Sequence, residues 1–394
     1  MKKKILFMMP YVNCGGVETT LVSLLSKLNS DLFDIDLLLI EKNGKFISKI
    51  PSYVNIKYLN IPKSEWGVFY GYKRATIALL KNFDLINLIK IMKKGKFKLS
   101  ENRKDNVEYF CEIDSCLEMY EKEYDIAVDY FGYATFTTYY VAKKIRAKKK
   151  ITWIHSRFST IGAKYLEEYY QMYDKILAVS KSTLSDFLSC TNIDKNKCTV
   201  FYNFIDYEKI RKLADEPIND INDKEIFKIC SVGRLEKEKG FDLAIKVAKK
   251  LKNLGYSFCW YIVGEGGQRK VLEQYILEYD LKGEFKLLGL KDNPYPYIKM
   301  CDIYVQPSRY EGYCTTTNEA RVLAKPIITT NVFGANEQFI DGENGFITEF
   351  DENQMTESII RLINDSNERK MFSNNLKSIN FNYDSQIELL MRYS

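Results

Sequence analysis

Apolar residues in this chain follow two patterns. Short, mainly apolar runs lie at 5–9, 35–40, 126–129, 151–154 and 176–179, and again at 228–232, 258–263, 285–288, 303–306 and 327–330. They have the length of strands buried on both faces. Between them come longer stretches of helical periodicity at 17–28, 241–254 and 268–279, with further helices expected from near Ser182 and from near Cys314 or Thr315. Strands alternating with helices indicate α/β architecture, parallel sheets covered on both sides. A chain of 394 residues exceeds one ordinary core, so two doubly wound, Rossmann-like domains facing across a cleft are expected. The polar run 215–224 (DEPINDINDK) suits a linker, and 385–393 reads as a terminal amphipathic helix. The division predicted is one domain over 1–206 and a second over 207–377, with a C-terminal helix in 378–394 packing back on the first.

The opening MKKKILFMMP places lysines before apolar residues, as a signal peptide does, but the apolar part stops at Pro10 and no small-residue cleavage site follows. It reads as a buried first strand, and no apolar run reaches the ~18 residues of a membrane helix. A cytoplasmic chain is the expectation, with a place on the inner face of the cell membrane as a variant of it. Nine cysteines are scattered without a CxxC pair, and His155 is the sole histidine. No zinc site and no disulfide framework is expected from that pattern. Charge is uneven: 32 basic against 22 acidic side chains in residues 1–203, and 26 against 30 in 204–394, net +10 and −4 within the total of +6. Two domains with different partners fit this asymmetry.

In open α/β sheets, ligands sit at the carboxyl ends of strands, so loops after strands are where chemistry is expected. VGRLEKEKGF (232–241) brings Arg234 and Lys239 to a helix start. Two cations beside the positive end of a helix suit a diphosphate. Each contact is a gross attraction of ~4 kcal/mol at 4 Å and an effective dielectric near 20. Glu236 and Glu238 lie between them, so a surface ion-pair loop fits the same residues. PSRYEGYCTTTNEA (307–320) carries Glu311 in a loop, Gly312 for close approach, and Glu319 inside the following helix. The amides of Cys314, Thr315 and Thr316 at that helix start suit phosphate oxygens. Two carboxylates so placed suit the hydroxyls of two sugars of one ligand, or are two ordinary acidic residues. VNCGGVE (12–18) puts Gly15 and Gly16 at a strand–helix turn. It departs from GxGxxG, so a dinucleotide fold is poorly supported. His155 follows the strand 151–154, and VGEGGQ (263–268) reads as a structural turn.

These motifs together resemble the retaining glycosyltransferases of GT-B fold, family 4, also called glycosyl transferases group 1. The order is the GG loop, His155, AVSKST, FYNFID, VGRLEKEKG, VGEGG, LLGL, DIYVQPSRYEGY with Glu319, and GANEQFIDGENGF. The match spans nearly the whole chain and is densest over 228–350. The resemblance implies that Arg234 and Lys239 bind the donor diphosphate, Glu311 the transferred sugar and Glu319 the ribose. It places the amides of Tyr313 to Thr316 against phosphate and sugar, and Gly289, Leu290 and Lys291 beside a uracil base. Gly15 and Gly16 would approach the diphosphate, and His155 the transferred sugar. It further implies a hexosyltransferase that keeps anomeric configuration and needs no metal or other cofactor. Such an enzyme moves a hexose or N-acetylhexosamine from a UDP-sugar to a glycan or lipid-linked acceptor in bacterial surface polysaccharide synthesis. CTTTN after EGY, and Lys325 before Pro326, depart from the family and bear on donor identity. A sugar-nucleotide epimerase and a non-catalytic partner subunit are the rival readings, the second disfavoured by the intact cations and glutamates.

The segments 70–104 and 143–150 (KKIRAKKK) are basic, the first with apolar residues interleaved. The first reads either as a solvated helix face followed by a loop or as a contact with an anionic membrane surface, to which the second could contribute. No nucleic-acid partner is expected.

Overall fold

A computed structural model describes every residue except 1, 71, 95–102, 134, 160–162, 222–225, 382–383 and 393–394. Parts of the expected linker, of the 70–104 segment and of the terminal helix lie outside the described residues. Two units divide the chain: residues 1–202 with 384–394, and residues 203–383.

The first unit is built on a parallel seven-stranded sheet. Its strands are β1 (Lys3–Met9), β2 (Phe33–Leu39), β3 (Val54–Tyr58), β4 (Glu123–Asp129), β5 (Arg146–Ile154), β6 (Lys175–Ala178) and β7 (Cys198–Val200), in the order β3-β2-β1-β4-β5-β6-β7. The run ILFMM of β1 is buried throughout, with β2 on one side and β4 on the other. That explains why no alternation marks it in the sequence.

The second unit repeats the plan with six parallel strands. These are β8 (Phe227–Val232), β9 (Phe258–Val263), β10 (Phe285–Gly289), β11 (Ile303–Gln306), β12 (Ile327–Thr330) and β13 (Phe346–Thr348), ordered β10-β9-β8-β11-β12-β13. Helix Phe241–Asn253 buries Leu243, Ala244, Val247, Ala248 and Leu251 while Lys246, Lys249 and Lys250 face outward or sit at the rim. This is the spacing of one apolar stripe. In both sheets the chain runs outward one way, then returns to the centre and runs out the other way. The reversal falls between β1 and β4 in the first and between β8 and β11 in the second. Loops leaving the carboxyl ends of those central strands are the ligand position of a doubly wound sheet.

The sequence pattern missed β3, β7 and β13. All three lie at or next to a sheet edge and are short or only half buried, so they carry little apolar signal. Within 70–104 a helix face followed by a loop is one reading, and the described residues carry two helices there, Tyr72–Lys81 and Leu85–Lys94; helix Arg103–Ile113, also between β3 and β4, is not anticipated by the pattern.

Candidate functional site

The two loops flanking the reversal of the second sheet hold VGRLEKEKG and PSRYEGY. After β8 the chain makes a short turn over Lys237–Lys239, then Gly240 takes a left-handed φ of 68° and opens helix Phe241–Asn253. A Cβ on Gly240 would stand 1.8 Å from the carbonyl oxygen of Pro307. The first loop therefore touches the second backbone to backbone, which only glycine permits. Arg309 fastens the contact from the other side. Its guanidinium donates to both carboxylate oxygens of Asp242 at 2.7 and 2.6 Å and to the Lys237 carbonyl at 2.8 Å, and its amide donates to the Glu238 carbonyl at 2.7 Å. A planar fork on a carboxylate fixes direction as well as distance.

Held so, Lys239 Nζ meets Glu311 Oε1 at 2.6 Å, with side chains only 18% and 11% exposed. Ser308 Oγ donates to the same oxygen at 2.7 Å. Behind it, Gln306 Nε2 donates to Ser308 Oγ at 2.9 Å, while Tyr304 and Thr316 hydroxyls donate to Gln306 Oε1 at 2.7 and 3.0 Å. Burial pulls the Lys239 ammonium down, but the Glu311 carboxylate outweighs it and the group is held above its ordinary value. Lys239 is therefore a fixed cation at neutral pH. Arg234 stands apart from this pair: it is 60% exposed and bonds Glu238 at 3.2 Å. It lies near enough to repel the Lys239 charge.

Helix Thr315–Val322 begins at Cys314, whose side chain makes no cap. Its first amides, on Thr315 and Thr316, have no preceding turn to bond. The helix start is pinned from elsewhere. Asn203 Nδ2 donates to the Tyr313 carbonyl at 2.9 Å, and Gln338 Nε2 to the Cys314 carbonyl at 2.9 Å. Thr317 Oγ1 bonds the Cys314 carbonyl at 2.9 Å and Gln338 Oε1 at 2.6 Å. Gly334, at φ 77°, leaves room for Tyr313, whose ring would lie 2.9 Å from a Cβ there. Burial raises the Cys314 thiol, which disfavours its thiolate. Glu319 is buried inside the helix and accepts from Tyr295 Oη at 3.2 Å. Burial pushes its carboxyl up to about 7 although that bond pulls it down.

Gly289 closes β10 with φ 76°. The following Lys291 is drawn to Asp220 Oδ2 at 2.6 Å, and the Tyr297 hydroxyl donates to the same carboxylate at 2.8 Å. Leu290 between them is exposed. VGEGGQ backs the first loop: a Cβ on Gly264 would stand 1.9 Å from the Gly233 carbonyl oxygen, and Leu235 exchanges backbone bonds with Glu265 and Gln268 at 2.9 and 2.8 Å.

In the first unit, Gly15 precedes helix Gly16–Lys27 in extended conformation, and a Cβ there would meet the Glu18 carboxylate at 2.4 Å. His155 follows β5. Its Nε2 lies 2.7 Å from the Tyr130 carbonyl, and its Nδ1 is buried without a hydrogen-bond partner. Burial lowers the ring to about 4, so it is neutral at pH 7. Because a carbonyl only accepts, Nε2 carries the proton and Nδ1 presents a lone pair. The basic run 143–150 lies at the amino ends of the strands. Lys148 pairs with Asp125 at 2.7 Å, Lys149 with Asp174 at 3.2 Å and Lys144 with Asp114 at 3.3 Å. Part of its charge is thus answered within the unit, while Lys148 and Lys149 stay exposed.

The model of the family "Glycosyl transferases group 1" matches residues 212–378. The chain is 32% identical over 231 residues to the N-acetylgalactosamine-N,N'-diacetylbacillosaminyl-diphospho-undecaprenol 4-alpha-N-acetylgalactosaminyltransferase of Campylobacter jejuni, covering 58% of this chain and 61% of the relative. It is 30% identical over 223 residues to the capsular polysaccharide biosynthesis glycosyltransferase CapM of Staphylococcus aureus, covering 54% and 58%. The chain thus spans about three-fifths of the length of these curated relatives. Among solved structures, Anabaena HepE in complex with UDP and glucose superposes with a TM-score of 0.71 at 17% identity, covering 99% and 98% of the two chains. S. aureus TarM, in complex with fondaparinux, alpha-GlcNAc-glycerol and UDP, gives 0.69 at 14% identity, covering 99% of each. Residues 212–378 thus match the glycosyl transferases group 1 model, and the chain carries the GT-B fold of these solved structures.

Proposed function

We propose that this chain is a glycosyltransferase that moves a hexose or N-acetylhexosamine from a UDP-sugar to a glycan or lipid-linked acceptor, with retention and without a metal, in the building of bacterial surface polysaccharide. One observation carries the reading: the half-buried Lys239–Glu311 pair sits where the central strands of the second sheet reverse, beside the start of helix Thr315–Val322. When a donor enters, Lys239 turns from Glu311 to the diphosphate, joined by Arg234 and the amides of Thr315 and Thr316. Glu311, released, accepts hydroxyls of the transferred sugar, as its Ser308 bond already orients it. The anomeric C–O bond breaks, its electron pair stays on the diphosphate, and fixed cations and amides stabilise that charge. The acceptor oxygen bonds the anomeric carbon from the face the diphosphate leaves, and its proton passes to a leaving phosphate oxygen, so no protein base is required and the configuration is kept. Glu319 receives the ribose hydroxyls, and the loop Gly289–Lys291 faces the base. Gly15 and Gly16 allow close backbone approach to the diphosphate. His155 Nδ1, a buried lone pair, accepts a hydroxyl of the sugar.

The names of the two relatives, one acting on a diphospho-undecaprenol-linked glycan and one in capsule biosynthesis, support the acceptor class. UDP, present with TarM and HepE, is the nucleotide to try first. The test is a panel of nucleotide sugars scored by thermal stabilisation, followed by transfer to undecaprenyl-linked acceptors in excess chelator. Stabilisation by a UDP-sugar and chelator-resistant, acceptor-dependent transfer with retained anomeric configuration is expected. Conversion of the nucleotide sugar without acceptor would mean epimerisation instead.

A further inference from the structure

The helical hairpin inserted between β3 and β4 is built unlike the rest of the molecule. Helices Tyr72–Lys81 and Leu85–Lys94 hold together through a small cluster of Ala75, Leu79, Leu88 and Ile91, with Trp66 and Tyr72 at its edge. The opposite face is left apolar and open. Ile77, Leu80, Phe83, Leu85, Ile86, Ile89 and Met92 are all exposed, Ile86 at 71% and Phe83 at 89%. Seven large apolar side chains thus face solvent within sixteen residues, about a third of those exposed among the described residues. Phe83 stands at the tip between the helices with φ 53°, a left-handed turn that a bulky residue adopts only against strain. A contiguous apolar patch of this kind marks an interaction surface.

Charge says what covers it. Residues 72–94 carry six basic side chains and one acidic, Asp84. The Asp84 carboxylate is already taken by Lys63 at 2.9 Å and by Asn87. Lys73, Lys81, Lys90 and Lys93 are exposed around the apolar stripe. On the second helix, Leu85, Ile89 and Met92 fall on one line, with Ile86 and Lys93 beside it and Lys90 beyond. That is the pattern of a helix lying in a bilayer interface, apolar side chains among the acyl chains and lysines at anionic headgroups. A second copy of the chain would set lysine rows against lysine rows, whereas an anionic lipid surface compensates them. We infer that the hairpin 72–94 docks this protein on an anionic lipid surface, with Phe83 and Ile86 inserted and the four lysines at the headgroups. The inference stands apart from the sugar-transfer reading, since it rests on residues with no part in the second-unit site.

The full-length protein is floated with phosphatidylcholine vesicles, with and without phosphatidylglycerol. Wild type is expected to rise with the anionic vesicles only, and to be released by high salt. Phe83→Glu with Ile86→Glu should weaken partition at least tenfold. Lys81→Gln, Lys90→Gln and Lys93→Gln together should weaken it about a hundredfold, roughly fivefold per cation removed. Melting temperature is the folding control. The lysine set touches no apolar packing and so tests the idea even where the glutamates disturb the hairpin. Wild type that ignores anionic vesicles, or partition untouched by both sets, overturns the inference. So does a wild-type dimer in sedimentation velocity that the glutamates dissociate.

Discussion

The two sheets reverse direction at the same place in their plans, yet the two reversals are furnished in opposite ways. Between β1 and β4, the buried carboxylate of Asp129 is answered inside its own unit. Thr138 and Thr152 hydroxyls donate to it at 2.7 and 2.9 Å and the Gly132 amide at 3.2 Å. Burial raises its pKa. The polar atom left open nearby is one neutral lone pair, His155 Nδ1. Between β8 and β11, a permanent cation and a carboxylate are held face to face at a partly open surface, and two loops are clamped to keep them there. A charge satisfied by neutral donors on all sides is architecture. A charge satisfied by one partner that a ligand can replace is a site in waiting.

Lys239→Ala should sharpen the contrast most. With the diphosphate cation gone, kcat/KM for the donor is expected to fall on the order of a thousandfold, ~4 kcal/mol, with the melting temperature little changed. A steady-state assay with the preferred UDP-sugar measures it. Glu319→Gln comes next and reads in both stability and affinity. The folded protein binds the Glu319 proton more tightly than the unfolded chain, so the associated stability is full below the ordinary carboxyl range, near 4.5, and is lost as pH rises through about 7. Glutamine has no charge to bury, so the variant should match wild type at pH 5 and exceed it at pH 8 by up to ~3 kcal/mol in urea unfolding. Donor affinity should move the other way, and in wild type it should weaken as pH falls below about 7, since the ribose acceptor proposed is the Glu319 carboxylate and not the acid. Asp129→Ala, in the first unit, leaves three donors without an acceptor. It should destabilise by about 2 kcal/mol while the enzyme that remains folded keeps its affinity for UDP. The smallest effect is Arg309→Lys, which keeps charge but loses the fork on Asp242. About tenfold in kcat with the KM for donor nearly constant is expected, since this residue positions Lys239 and Glu311 and touches no substrate.

What the sequence discloses follows from the range of the forces involved. β1 and β9 are legible because burial on both faces writes an unbroken apolar run, and Ile5 to Met9 identifies itself without help. Edge strands such as Val54–Tyr58 alternate weakly and do not. The site divides in the same way. Lys239, Glu311 and Glu319 stand in short local motifs, so their type and spacing suggest a role before any contact is known. Asn203, Tyr295, Arg309 and Gln338 do not. Asn203 reaches Tyr313 across 110 residues, and Arg309 reaches Asp242 across 67. No local spacing encodes such pairs, although FYNFID and GANEQ were visible as strings. The different surroundings of the two basic segments were equally hidden. KKIRAKKK finds acidic partners on neighbouring strands and loops, whereas the lysines of 72–94 share their stretch with a single acid.

The account turns on the claim that Lys239 and Glu311 are paired only until a donor separates them. Calorimetric titration of UDP and of the preferred UDP-sugar into wild type, Lys239→Met and Glu311→Gln tests that directly. Lys239→Met should weaken both ligands at least thirtyfold. Glu311→Gln should leave UDP as tight as in wild type or tighter, because Lys239 is freed, and should remove the extra affinity contributed by the sugar. Equal binding of UDP by wild type and Lys239→Met would contradict the assignment of the diphosphate to this pair.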